Sequence, residues 1–287
     1  MHLPVEGWAV RVNGHVYLVK GCEHPLPCIH VIPRRLGRTK VKDPWTIVGQ
    51  GVPVRWSPCL NVKLHMVCPW DDYDLLDPIA RLEELISSGF RDPIIEQLYS
   101  VLGSSVGVTG SLLYGGEHRD IDIVVYGVRE SVEALDLILE MFKSGKLAPP
   151  PYKEYNIVKR EVGIKDWIYI SRRNPLVFRD LGSNRVYSIR LVGCKEPVRC
   201  PDIVARSPVH ASIVIVRHLT PPCVTPGLYE CRARDGGKLV MLTLRSSLSC
   251  LPLGAMIEGI FILEQVKNGI ARLVPDGGYV RIRLLQG

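Results

Sequence analysis

VGVTGSLLYGGEHRDIDIVVYG, residues 106–127, is the stretch of sequence that decides the fold. Its pattern predicts a short buried strand, a tight turn at Gly110 and Ser111, a short helix, and a second strand with the sequence DIDIVVYG. Glycine permits a close backbone approach at such a turn, and the free amides and the serine hydroxyl at the start of a helix can hold phosphate oxygens. The segment therefore predicts a turn that receives a phosphate group.

Two aspartates follow on the second predicted strand. Asp120 and Asp122 are two residues apart, so both side chains leave the same face of the strand, whereas Ile121, Ile123 and Val125 point into a core. Two like charges side by side on a sheet face are unfavourable, and a divalent cation removes the repulsion. Hard oxygen ligands suit magnesium, which also binds substrate phosphates, so the pair predicts a Mg²⁺ (or Mn²⁺) site. The alternative is two solvent-facing aspartates after an unrelated turn.

The combined pattern resembles the motif of the DNA polymerase beta-like nucleotidyltransferase superfamily. That motif is a hydrophobic residue, Gly-Ser, a spacer of about this length, and Asp-x-Asp flanked by hydrophobic residues. The matching positions here are Val108, Gly110, Ser111, Asp120, Asp122 and Ile123. The resemblance implies that the two aspartates are catalytic metal ligands and that the Gly-Ser turn positions a nucleoside triphosphate (NTP). The implied reaction moves a nucleoside monophosphate (NMP) to an acceptor, with pyrophosphate leaving. The layout of the chain also looks like archaeal-type members of this superfamily.

The resemblance further implies a third carboxylate on the strand after the crossover helix. That strand is VYSIRLVG, residues 186–193, whose polar positions are Ser188 and Arg190. The candidate substitutes elsewhere are Asp166, Asp180 and Asp202. Three interpretations stay open: one of these acids completes the site, Arg190 binds the nucleotide phosphate, or the protein has lost the chemistry and kept nucleotide or nucleic-acid binding on the same fold. A structural interaction protein, in which the aspartate pair is incidental, is the remaining class.

The sequence around the motif divides into three predicted regions. Residues 1–70 carry short β-branched segments separated by Gly or Pro and predict a β-rich N-terminal region. Residues 33–44 predict a basic loop that either contacts phosphate or is simply solvated. Residues 71–193 predict a nucleotidyltransferase-like core. Residues 194–287 predict strands alone, forming a C-terminal β domain. The predicted fold class is α+β: a nucleotidyltransferase-like mixed sheet with helices, flanked by the N-terminal β region and a small C-terminal β-barrel or sandwich.

The helices of the predicted core have recognisable start signals. Asp77 and Asp92 each precede a proline, which is the arrangement of an N-cap followed by proline at the first helical position. Ser131 is predicted to cap a third helix. A further helix is predicted at residues 154–163 and a strand at 166–171.

Charge is distributed unevenly along the chain. The net charge is +7, but residues 71–140 carry 15 acidic and four basic groups, whereas residues 141–287 carry 11 acidic and 23 basic groups. The acidic middle is consistent with a metal site, and the basic flanks predict contact with RNA or DNA. The exposed-looking arginines of the C-terminal region are Arg232, Arg234, Arg245, Arg281 and Arg283. Aromatic residues make up only 7% of the chain, which argues against an extensive platform for base stacking.

Composition excludes some classes of protein. The chain has 287 residues, of which 46% are hydrophobic and 23% charged, so wholesale disorder is excluded. No apolar run approaches the length of a transmembrane helix, so no membrane association is predicted. The N-terminus lacks the pattern of a signal peptide, which predicts a cytoplasmic protein. Few Asn and Gln residues alongside 22 prolines suggest a thermophilic source.

Nine cysteines are present, and an odd number argues against a secreted disulfide framework. The tightest cluster is Cys22, His24, Cys28 and His30, whose types suit zinc although no Cys-x-x-Cys pair occurs. The same spacing also suits buried thiols in a strand-and-turn region. An intracellular disulfide is a further alternative if the source is thermophilic.

Overall fold

A computed structural model describes residues 4–41, 51–59, 62–115, 120–149, 175–267 and 269–284. The helix and the strand predicted at residues 154–163 and 166–171 lie outside the described residues, as does Asp166. The described chain is mixed α+β and consists mostly of strands arranged in several sheets. The predicted α+β class is therefore confirmed at this level.

The N-terminal region forms a sheet with the strand order β6-β7-β4-β2-β1-β8, to which β5 is added beside β4. The strands are β1 (Ala9–Val12), β2 (His15–Val19), β3 (Glu23–His24, outside this sheet), β4 (Ile29–Leu36), β5 (Thr39–Lys40), β6 (Val54–Ser57), β7 (Val62–Val67) and β8 (Asp74–Leu76). The prediction of a loop at residues 33–44 is wrong for residues 33–41, the part that the structure describes. A left-handed backbone at Gly37 (φ 58°) lets β4 and β5 form a hairpin there.

The central region contains a second sheet with the order β11-β12-β13-β10-β9. Its elements are α1 (Pro78–Ser87), α2 (Pro93–Leu102), β9 (Val106–Thr109), α3 (Gly110–Tyr114), β10 (Asp120–Tyr126), α4 (Val128–Lys143), β11 (Leu147–Ala148), β12 (Val177–Asp180) and β13 (Val186–Val192). Strand β10 runs antiparallel to β9 and parallel to β13. The strand, short helix and second strand predicted from residues 106–127 are confirmed.

Two of the three predicted helix caps are confirmed. The Asp77 carboxylate accepts hydrogen bonds from the amides of Ile79 and Ala80, and Asp92 caps α2 in the same way. The cap predicted at Ser131 is wrong, because α4 begins three residues earlier. Gly127 has a positive φ of 102° that turns the chain directly from β10 into the helix, so Ser131 is buried in its first turn.

The C-terminal region contains a barrel closed in the order β15-β17-β18-β20-β19. Its elements are β14 (Val198–Arg199), β15 (Ile203–His218), β16 (Val224–Thr225), β17 (Gly227–Ala233), β18 (Lys238–Thr243), α5 (Ser246–Ser249), β19 (Ala255–Val266) and β20 (Ala271–Leu284). Strand β16 joins the central sheet beside β13, and β14 pairs with β3. The short helix α5 contradicts the prediction of strands alone.

Eight of the nine cysteines form disulfides, which resolves the alternatives left by the sequence. The pairs are Cys22–Cys194, Cys28–Cys68, Cys59–Cys200 and Cys223–Cys250. The odd residue, Cys231, is a buried thiol in the barrel. His24 and His30 are buried beside each other, and burial lowers their pKa values to about 3 and about 4. With its two thiols oxidised, this cluster lacks the cysteine ligands of a zinc site.

Candidate functional site

The candidate site lies on one face of the central sheet. Asp120 and Asp122 on β10 share that face with Val124 and Tyr126, which pack into the core of the N-terminal sheet. The intervening residues, such as Ile123, face the helices. One half of the aspartate-bearing face is therefore covered by the N-terminal sheet. Beside the other half lies a pocket of about 140 Å³.

The pocket brings together residues from the N-terminal and central regions. Its lining includes Glu6, Arg34, Gly110, Asp122, Ser188 and Arg190. Asp120 is exposed beside it. Ser111 follows Gly110 in the first turn of α3 and is not among the residues that line the described pocket. Three of the five predicted site residues thus line one pocket. Of the other two, Ser111 directly follows Gly110 and Asp120 lies two residues before Asp122.

Gly110 is required by the close approach of Asp122. Its φ is +60°, and a Cβ atom added there would lie 2.9 Å from Cγ of Asp122 and closer still to its Oδ2. A side chain at this position would therefore push the carboxylate out of the site. The glycine of the motif lets the carboxylate rest directly against the backbone at the start of α3.

The Asp122 carboxylate is electrostatically unfavourable as an anion in the free protein. Burial raises its pKa, and the charge of Asp120 raises it further. The positive charges of Arg34 and Lys40 and a hydrogen bond with Ser188 act in the opposite direction, but the net shift is upward. A bound cation would remove this electrostatic penalty, and carboxylates that are unfavourable as free anions are expected at a metal site.

The cations near Asp122 come from the β4–β5 hairpin, which sequence analysis did not assign to the site. Arg34 lines the pocket, and its Nε is buried without a hydrogen-bond partner within the described structure. The neighbouring Arg35 donates to the carbonyl of Gly115 at 3.3 Å and lies 5.6 Å from the ring centre of Tyr114. The hairpin is thereby held against the end of α3. The only sequence signal for it was the basic run PRRLGRTK.

Arg190 lies in the pocket, and its guanidinium forms an ion pair with Glu6. The Glu6 side chain is only 1% exposed, and it also accepts hydrogen bonds from the Gly21 amide and, at 3.2 Å, from Nζ of Lys20. Lys20 in turn donates to the carbonyl of Leu244 at 2.7 Å, beside the barrel. Glu6 therefore holds Arg190 at the wall of the pocket, and sequence analysis gave no indication of this carboxylate.

The third carboxylate implied by the resemblance is absent from the described part of this face. Ser188 occupies the position on β13 that is in register with Asp122. Asp180 shares the opposite face of the sheet with Phe178, and it accepts hydrogen bonds from the Ser183 amide and hydroxyl at 2.7 and 2.6 Å. Asp202 lies beside the barrel, 3.9 Å from Nζ of Lys267. Among the described residues, no three His, Cys, Asp or Glu side chains could share a metal ion.

The donor set fits magnesium only if a substrate completes the coordination. Mg²⁺ is commonly bound by one or two carboxylates together with substrate phosphates, and two carboxylates are available here. The adjacent guanidinium groups are suited to the phosphates. Comparisons with protein-family models, with curated proteins and with solved structures found no match for this chain. The functional assignment therefore depends on the chemistry of the pocket.

No helix in the described ranges is both long enough and apolar enough to cross a bilayer.

Proposed function

We propose that this chain binds a magnesium–nucleoside triphosphate in the pocket beside Asp122 and transfers its nucleoside monophosphate to an acceptor. The observation that carries the proposal is the convergence of opposite charges on one sheet face. Asp122, Arg34 and Arg190 all line one pocket, which also includes Gly110. Carboxylates suit the metal and guanidinium groups suit the phosphates, so one ligand satisfies both sets.

The connectivity of the central sheet supports a nucleotidyltransferase-like core. Strand β9, helix α3 and strand β10 are followed by helix α4, and β10 lies parallel to β13. In this arrangement Asp120 and Asp122 hold the metal, and Gly110 and Ser111 allow the triphosphate to approach the backbone. A bound Mg²⁺ would stabilise the attacking and leaving oxygens during transfer.

The basic groups of the pocket have a separate role in the proposal. Arg34 and Lys40 neutralise phosphate charge from the N-terminal side, where their positive charges already act on Asp122. Arg190 is oriented by Glu6 and contacts phosphate from the side of β13. Positioning and electrostatic stabilisation dominate phosphoryl transfer, so these cations would account for much of the rate enhancement.

Nucleotide binding without transfer is the second candidate function, and one specific observation favours it. Ser188 stands in register with Asp122 on β13, the strand on which the resemblance implies a third carboxylate. Arg190, two residues further along β13, faces the same pocket. A site with two carboxylates and added arginines binds a metal–triphosphate complex whether or not it activates an acceptor.

The two candidates are separated by a transfer assay with α-labelled nucleoside triphosphates, Mg²⁺ or Mn²⁺, and RNA, DNA or protein acceptors. We expect labelling by the wild type to be lost in the Asp120→Asn/Asp122→Asn double variant and retained in Asp136→Asn. Asp136 is an exposed aspartate on α4, against the opposite face of the sheet, and is the matched control. Equal labelling by the double variant would contradict the assigned roles.

Ser188→Asp provides a test by gain of function. If the site lacks only the third carboxylate, this substitution increases the rate of transfer. Magnesium-dependent binding of a nucleotide with a non-cleavable α,β-methylene bridge, without transfer by the wild type or by Ser188→Asp, would support the binding protein. Absence of both binding and transfer would refute both candidates.

A further inference from the structure

The outer surface of the barrel carries a row of residues that crosses all five strands. In register, Lys238 on β18 pairs with Arg232 on β17, which lies opposite Val214 on β15. Val214 lies opposite Met256 on β19, and Met256 opposite Arg283 on β20. These five residues are called the basic row below.

The basic row faces outward, and its charges have no ion-pair partner among the described residues. Lys238, Arg232 and Arg283 are exposed, whereas neighbours such as Cys231 and Ile282 lie in the barrel core. None of the three cations forms an ion pair with a described residue, unlike Arg217, which lies 2.8 Å from Glu230. Strands are spaced about 4.8 Å apart, so Arg232 and Arg283 are separated by roughly 14 Å measured around the barrel surface, with Val214 and Met256 between them.

We propose that the basic row binds a single-stranded nucleic acid. The phosphates of the nucleic acid would contact the charged groups at the two ends of the basic row. A base would lie against the apolar centre formed by Val214 and Met256. An extended strand presents both phosphates and unstacked base faces, whereas a duplex hides its base faces. The proposal uses the barrel alone and does not rest on the proposed transfer reaction.

An anionic membrane would also attract these cations, but it fits the row less well. Peripheral membrane binding depends on large apolar side chains that enter the headgroup region. Val214 and Met256 are half-buried in the sheet surface rather than projecting beyond it. Nearby, Glu258 lies two residues from Met256 and in register with Arg281 one row further along, and its negative charge would repel a bound polyanion.

The test measures the fluorescence anisotropy of labelled oligouridylate and oligothymidylate as a function of salt. For single strands, log K falls with log salt by about 0.7 per phosphate contact, so loss of three contacts makes the slope shallower by about 2. At about 0.1 M salt this corresponds to a roughly 100-fold loss of affinity in Arg232→Gln/Lys238→Gln/Arg283→Gln. The matched control, Arg91→Gln/Lys143→Gln/Lys146→Gln, removes three exposed cations near the helices and should bind as the wild type does.

A second variant guards against misfolding as the cause of a loss. Glu258→Gln removes the nearby acid and is expected to bind more tightly than the wild type, a result that damage to the barrel would not produce. Asp120→Asn/Asp122→Asn should bind the oligonucleotide normally. The proposal is overturned if the wild type does not bind, if the triple variant binds normally, or if duplex DNA or anionic vesicles compete as well as an unlabelled single strand.

Discussion

Replacing Asp122 by Asn should stabilise the metal-free protein, because the carboxylate is buried beside a like charge. Asp120 and Asp122 are two residues apart on β10, which separates them by about 6.6 Å along the strand. At that distance Coulomb's law gives a repulsion of about 0.6 kcal/mol for bulk water and about 2.5 kcal/mol for an effective dielectric constant of about 20. Asp120 is exposed, so we expect an increase in the free energy of unfolding of about 1 kcal/mol.

Magnesium with nucleotide should reverse this order of stability. A ligand that binds only the folded protein at about 100 times its Kd stabilises it by about 2.7 kcal/mol, and the wild type should show such an increase. Asp122→Asn should lose most of that increase, whereas Asp136→Asn should behave as the wild type. Urea denaturation with and without Mg²⁺ and a non-cleavable nucleotide measures both effects. If Asp122→Asn is less stable than the wild type without metal, or is stabilised equally by the ligand, the assignment of a metal site fails.

Three further predictions concern the same pocket. Gly110→Ala should destabilise the protein by about 1–2 kcal/mol through its positive φ alone, and by more through contact of the new Cβ with Asp122. Urea denaturation should therefore show a smaller loss of stability in an Asp122→Ala background. An equal loss in the two backgrounds would contradict the close packing of Gly110 and Asp122. Folding raises the pKa of Asp122. The Asp122 carboxyl therefore contributes its full stabilisation of the metal-free protein below the usual carboxyl pKa, and this stabilisation declines as pH rises through the raised pKa. Denaturation at stepped pH should show the decline in the wild type but not in Asp122→Asn. Glu6→Gln should lower stability by about 1–3 kcal/mol by leaving Arg190 without its counter-ion, and should tighten the binding of inorganic triphosphate measured by calorimetry; unchanged binding would show that Arg190 does not meet phosphate.

Features governed by local chemistry were predictable from the sequence. Asp77 and Asp92 cap helices because the capping oxygen and the amides it accepts from lie within three residues of each other. The face shared by Asp120 and Asp122 follows from the two-residue period of a strand. The prediction that Ser131 caps α4 was wrong because a serine in the first turn of a helix and a serine at its N-cap look the same in the sequence. The distinguishing feature was the positive φ at Gly127, which the sequence allows but does not require.

Features that depend on contacts between distant segments were not predictable. Arg34 and Asp122 are 88 residues apart in sequence, and Glu6 and Arg190 are 184 residues apart. A single sequence contains no information about such pairings, so the basic run near residue 34 was interpreted as a loop. The disulfide partners Cys22 and Cys194 were hidden for the same reason.

The N-terminal and central regions pack against each other beside the pocket. The predicted boundary between residues 70 and 71 stays a prediction, but Val124 and Tyr126 of the central sheet are buried in the core of the N-terminal sheet. The Thr109 hydroxyl, at the end of β9, donates to the carbonyl of Gly7 at 3.0 Å. Gly7 has a φ of 98°, and a Cβ atom there would lie 2.9 Å from the Tyr126 hydroxyl, so glycine allows the chain to lie against β10. The turn at Gly7 fixes the preceding residue, Glu6, at the wall of the pocket. Because Glu6 pairs with Arg190 there, the packing of the two regions sets the charge of the pocket that would contact a nucleotide.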